Sequence, residues 1–226
     1  MQHIIKAEEV KRKFIVGKET INVLKGITLM VDKGSLTILR GRSGSGKTTL
    51  MNLFGALDMP TSGKIYFDNE DITVMSERKR DNIRRASMGF VFQSVALIPV
   101  MSAFENVEFS LRVAGYDSKS RGKRVEECLN LVGLGKRMHH RPGELSGGEQ
   151  QRVAIARAIA HKPKLIFADE PTAELDTHMG LQVVKLFREL VQKEGVTVLM
   201  TTHDPSMLEI ADKVFTLEDG EITDAS

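Results

Sequence analysis

The 226-residue sequence predicts an α/β fold: a core on a mainly parallel sheet, an antiparallel β portion at the N-terminus and an inserted α-helical subdomain. Three observations predict it. Continuous apolar runs, Leu36-Thr37-Ile38-Leu39, Leu165-Ile166-Phe167-Ala168 and Thr197-Val198-Leu199-Met200, alternate with helical patterns. Strands apolar on both faces belong to parallel sheets covered by helices. A glycine-rich loop, Gly41 to Thr48, follows the first run and leads into a helix, while residues 95–140 carry helical periodicity.

In order along the chain, Ile27 to Val31 reads as a strand that ends at the turn Asp32-Lys33-Gly34. Leu36 to Leu39 is a buried strand running straight into the glycine loop, and Thr48 to Leu57 reads as the helix beyond it. Gly63 to Phe67 is a strand turning at Asp68-Asn69, and Gly89-Phe90-Val91-Phe92 is another, ending at Gln93. Phe104, Val107, Leu111 and Ala114 fall on one face of a helix, and Val125, Cys128, Leu129 and Val132 form a second stripe before Gly133. A helix from Glu149, the strand Leu165 to Ala168, a helix from His178 to Lys193 and the strand Thr197 to Met200 then resume the α/β pattern. A last strand, Val214 to Leu217, turns at Asp219-Gly220 into Glu221-Ile222. The reading is one domain, 1–226, with residues 1–94 and 141–226 as the core and 95–140 as the helical subdomain.

Composition is ordinary for a soluble globular protein, and a net charge of +2 argues against a broad nucleic-acid-binding face. Short basic runs at Lys11-Arg12-Lys13, Arg78-Lys79-Arg80 and Arg84-Arg85 read as solvated faces. The single Cys128 excludes an internal disulfide and fits a reducing compartment, and the start lacks a signal-peptide pattern, so a cytoplasmic location is expected. Ala86 to Phe104 has no charged residue, but its Ser87, Gly89, Gln93, Ser94, Pro99 and Ser102 do not suit hydrocarbon. It reads as a buried strand followed by a loop.

Gly41-Arg42-Ser43-Gly44-Ser45-Gly46-Lys47-Thr48 fits G-x-x-x-x-G-K-[ST], which makes the core a P-loop NTPase core. Four fixed positions arise by chance in only about one chain in a hundred of this length. Gly41, Gly44 and Gly46 let the backbone approach phosphates, the following helix start adds its positive dipole end, Lys47 faces the phosphates, and Thr48 offers its hydroxyl to Mg²⁺. Arg42, Ser43, Ser45 and Thr49 complete the candidate cradle. Asp169 and Glu170 end a buried strand where parallel sheets place ligands; Asp169 suits the Mg²⁺ shell and Glu170 the attacking water. Ser146-Gly147-Gly148-Glu149 is a capping-box helix start, and the same geometry also makes a second phosphate site.

Read together with Gln93, Asp169, Glu170 and His203, the two motifs make nearly the whole chain resemble the ATPase subunit of an ABC transporter. The resemblance implies ATP and Mg²⁺ as cofactors and a head-to-tail dimer of two copies, each lending its Ser146 helix to the other's ATP. It also implies that Gln93 touches Mg²⁺ and the attacking water, that His203 contacts the γ-phosphate, and that Asp176 crosses the dimer interface. Phe14 stands where these ATPases carry a Tyr stacking on adenine. Further stretches, among them Leu57 to Gly63, Leu97-Ile98-Pro99, Ser102 to Val107 and His140 to Leu145, resemble the macrolide-exporter and lipoprotein-release branch. Arg42, Glu174 and Ser110 depart from its pattern, which has Pro, Asn and Pro there. Such a subunit works with a separate integral membrane permease, on the cytoplasmic face of the membrane. Residues from Ser94 to Asn106 are expected in the groove that receives the permease. A mechanical ATPase that moves no substrate has the same ATP site, and only the partner separates the two readings. A soluble nucleic-acid ATPase of the same superfamily needs a second nucleotide domain or a long coiled coil, and a P-loop kinase leaves Ser146 to Gln151 unexplained.

Overall fold

A computed structural model describes residues 2–225. The chain opens with two 14-residue strands, β1 (His3–Val16) and β2 (Glu19–Asp32), followed by β3 (Leu36–Arg40), α1 (Lys47–Phe54), β4 (Ser62–Phe67), β5 (Glu70–Asp71), α2 (Glu77–Ser87) and β6 (Met88–Val91). The helices α3 (Ala103–Val113), α4 (Ser118–Leu131) and α5 (Gly147–Ile159) come next. The chain ends with β7 (Leu165–Ala168), α6 (Thr177–Glu194), β8 (Thr197–Thr202), β9 (Lys213–Glu218) and β10 (Glu221–Ala225).

Two sheets form. The first, ordered β2-β1-β4-β5, is antiparallel, and the second runs β10-β9-β3-β8-β7-β6. In the second sheet β9, β3, β8, β7 and β6 are mutually parallel and only β10 is antiparallel. The parallel strands alternate strictly between two cores, because successive side chains point to opposite faces. Leu36, Ile38, Ile166, Ala168, Val198 and Met200 join α3, α4, α5 and α6 in one core, whereas Leu39, Leu165, Phe167 and Leu199 join α1 and the antiparallel sheet in the other.

Helix α1 stops earlier than the expected Leu57 because Gly55 lies against Phe90 and Ala56 takes a left-handed backbone, turning the chain. The basic runs are less free than solvated faces. Arg12 forms a two-pronged ion pair with Asp58, at 2.8 and 2.9 Å, while Arg80 and Arg84 pair with Glu77 and Asp81 along α2. Helix α5, counted with the core by chain segment, packs on α3 and α4 and also on β6, where Gly89 admits its backbone: a Cβ there would lie 2.5 Å from Ala158 O. Arg124 of α4 caps the far end of α5 by donating to Ile159 O and Ala160 O at 3.2 and 3.0 Å. No helix among the described residues is long and apolar enough to cross a membrane.

Candidate active site

Four neighbouring parallel strands, β3, β8, β7 and β6, end at one edge of the sheet, and each delivers part of one cleft. The loop after β3 wraps the start of α1. Two of its glycines are sterically required. A Cβ on Gly41 would lie 2.3 Å from Leu217 O, and Gly46, at φ +106, would press one onto Leu24 at 2.9 Å. Gly46 caps α1 without a side chain, and the first turn holds no acidic residue, so the positive end of the helix is open to an anion. Lys47 is 5% exposed; its Nζ donates to Gly41 O at 2.8 Å and Arg42 O at 3.1 Å.

The ends of β7 and β8 bring up the carboxylates. Thr201 Oγ1 donates to Asp169 Oδ1 at 2.7 Å and accepts from the Glu170 N–H at 2.8 Å. Glu170 holds a left-handed backbone, φ +45, a strained state for a residue with a Cβ. Its carboxylate reaches Lys47 Nζ at 3.3 Å and His203 Nδ1 at 3.1 Å.

Val23, Arg42, Ser43, Gly44, Gly46, Lys47, Thr48, Thr49, Gln93, Glu170 and His203 line a cleft of about 670 Å³, a size that suits a nucleotide. Gly41 and Ser45 shape the loop from behind; Ser45 is buried, and its Oγ has no partner among the described residues. Asp169 stands one layer back, joined to the cleft through Thr201. Nucleotide phosphates fit the uncapped helix end and Lys47. For Mg²⁺, a hard cation that takes oxygen donors and keeps waters, the cleft offers the Thr48 hydroxyl and the Gln93 amide oxygen, with the Asp169 carboxylate one layer behind them.

Other predicted residues lie elsewhere. Phe14 does not line the cleft; its ring carries the Arg12 guanidinium 4.4 Å from the centroid. Ser146, Gly147, Gly148 and Asp176 are also outside it. Ser146 caps α5 in a reciprocal box with Glu149, and that bond to the Ser146 N–H holds the Glu149 carboxyl below its ordinary pKa. Asp176 caps α6 by accepting from Met179 N at 2.9 Å. The two caps adjoin, since Gly147 and Gly148 sit against Leu175 and Met179. Sequence reasoning missed Val23 as a cleft residue and Thr201 as the group behind Asp169. The paired Thr201-Thr202 at the end of an apolar strand was the available signal for the second.

A family model described as ABC transporter matches residues 24–173. The chain belongs to the ABC transporter family. It is an ABC ATPase domain, and full-length similarity supports the assignment. An uncharacterized ABC transporter ATP-binding protein of Thermotoga maritima is 42% identical, over 98% of this chain and 94% of its own length. The macrolide export ATP-binding/permease protein MacB of Syntrophobacter fumaroxidans is 42% identical over 97% of this chain, which spans only 31% of that protein. Among solved structures, a dimeric post-hydrolysis state of the ATP-binding cassette MJ0796 of Methanocaldococcus jannaschii, bound to ADP and Pi, superposes with a TM-score of 0.90. It is 38% identical, covering 98% of this chain and 97% of that one.

Proposed function

We propose that this ABC ATPase closes as a head-to-tail dimer of two copies around two ATP molecules with Mg²⁺, and that it powers a separate integral membrane permease from the cytoplasmic face. One observation carries the dimer. The Ser146 end of α5 is a helix N-terminus suited to phosphate that lies outside its own chain's cleft, and the Gly147 and Gly148 N–H groups donate to nothing among the described residues. A nucleotide held by a second copy is the ligand that completes it, with Asp176 beside it at the interface. The dimeric state of the MJ0796 cassette supports the same reading.

In this reading Lys47 neutralises the phosphates, and Thr48, Gln93 and Asp169 would hold Mg²⁺, which would supply Lewis-acid stabilisation of phosphate charge. Glu170 orients the attacking water and accepts its proton, and His203 steadies Glu170 while contacting the γ-phosphate. Phe14 is assigned to the base by its apolar ring, carried by the Arg12–Asp58 pair.

A groove of about 410 Å³ supports the permease coupling. Phe90, Phe92, Ile98, Phe109 and Val113 give it an apolar floor, and Arg84, Arg85 and Arg157 give it a basic rim. The expected segment contributes Ala96, Ile98 and Asn106, whose buried amide holds the loop by bonds to Ile98, Met101 and Ser102. A short amphipathic helix suits this surface. The macrolide export name of the MacB relative favours a partner of an export type; the lipoprotein-release alternative rests on the sequence resemblance alone.

Size-exclusion chromatography of Glu170→Gln with and without ATP and Mg²⁺ tests the dimer. A shift from monomer to dimer that Ser146→Arg abolishes supports it; ATP binding without any shift, in the presence of a membrane partner, overturns it.

A further inference from the structure

The loop after Gln93 runs from the nucleotide cleft to the apolar groove. Gln93 lines the first; Phe92, Ala96 and Ile98 line the second. Between them Val95 and Ala96 both hold left-handed backbones, φ +56 and +49. This is a costly conformation for residues with a Cβ, above all for a β-branched one, and it persists only where the surroundings impose it.

Turn bonds from Val95 N to Phe92 O, at 3.2 Å, and from Ala96 N to Ser94 O lie within the bend, and one side chain from outside it holds both carbonyls. Arg157, from the last turns of α5, donates through Nη2 to Val95 O at 3.0 Å and through Nη1 to Ala96 O. Burial disfavours its charge and pulls its pKa below the ordinary arginine value. Among the described residues no carboxylate pairs with it, so the two carbonyl oxygens are the partners of its guanidinium. The Arg157 carbonyl in turn accepts from Ser110 Oγ of α3 at 3.2 Å. Ser146 begins the same helix α5. Because a helix is a stiff rod, the bend beside Gln93 is tied to the element that carries the second phosphate site.

We propose that Arg157 is a positioning residue for Gln93, holding the Val95 and Ala96 carbonyls so that the bend stays left-handed and Gln93 keeps its place in the cleft relative to α5. The inference rests on the assignment of Gln93 to Mg²⁺ and the attacking water.

The chain contains no tryptophan, so Ser94→Trp, at an exposed position, gives a single reporter in the nucleotide-free protein. In that background Arg157→Met is expected to lower the anisotropy of the indole emission. In the parent chain the same substitution is expected to lower kcat by about tenfold or more with KM for ATP changed less than about twofold. Ala96→Gly added to Arg157→Met should recover several-fold of the lost kcat, because glycine adopts the left-handed bend without a clamp. A packing role alone gives no such recovery. Unchanged anisotropy, unchanged kcat, or absence of recovery each overturns the proposal. Should Arg157→Met not fold, Arg157→Lys, which keeps the charge but not the fork, is read by the same three measurements. Gln93→Ala separates the two levels: full turnover in that variant removes the Gln93 assignment, whereas lost turnover beside a normal Arg157→Met removes only the clamp.

Discussion

The Glu170 carboxylate stands between Lys47 and His203, 3.3 Å from the ammonium and 3.1 Å from the imidazole Nδ1. The base candidate beyond β7 is therefore already in register with the buried lysine of α1 and with the histidine beyond β8. Replacing it by glutamine keeps its shape and removes its basicity. Glu170→Gln is expected to bind ATP within a few-fold of the parent and to hydrolyse it about 10²- to 10⁴-fold more slowly. Nucleotide titration and phosphate release measure the two, and parent-like turnover would remove Glu170 from the chemistry.

Lys47→Ala removes the ammonium that caps the loop carbonyls of Gly41 and Arg42 and faces the cleft. ATP affinity should fall by about tenfold or more, the loss of a charge-assisted contact of roughly 1.5–3 kcal/mol. Calorimetric titration decides this, and unchanged affinity contradicts the phosphate role.

Thr201→Val removes the buried hydroxyl that joins Asp169 to the Glu170 N–H. The orphaned N–H and carboxylate should cost about 1–3 kcal/mol in urea unfolding. Turnover should fall as well, because the hydroxyl sets the spacing of the two carboxylates. A stability loss with normal kcat would confine Thr201 to the fold.

Cys128 is fully buried in the helical core, and burial pushes its thiol from 9.0 up to about 11. The native thiol should resist iodoacetamide at pH 8 and react in urea. The folded state holds its proton longer than the unfolded chain does, so the stabilising contribution is complete below about pH 9 and is lost as pH rises toward 11. Urea midpoints across that range should fall; a flat profile counts against a buried neutral thiol.

Much of this arrangement was visible in the residues themselves. Continuous apolar runs marked β3, β7 and β8 because these strands are buried on both faces, and the glycine loop marked the cleft because a strand and a helix flank it. Helix α2 escaped because it buries no residue and so has no apolar stripe; charged pairs along its surface hold it instead. The place of Phe14 depends on the register of a long hairpin with several bulges, which local pattern does not encode. Thr201 and Arg157 act through contacts to residues 32 and more than 60 positions away, and neither carries a motif of its own.

The left-handed backbone of Glu170 has an evolutionary side. Glycine would relax that backbone, by about 1 kcal/mol or more, but it would also strip the buried Lys47 ammonium and His203 of their carboxylate partner. A lineage that loses the glutamate therefore has two deficits to make good, the charge beside Lys47 and the proposed base, whereas one that keeps it carries the backbone strain and recovers that stability elsewhere in the chain.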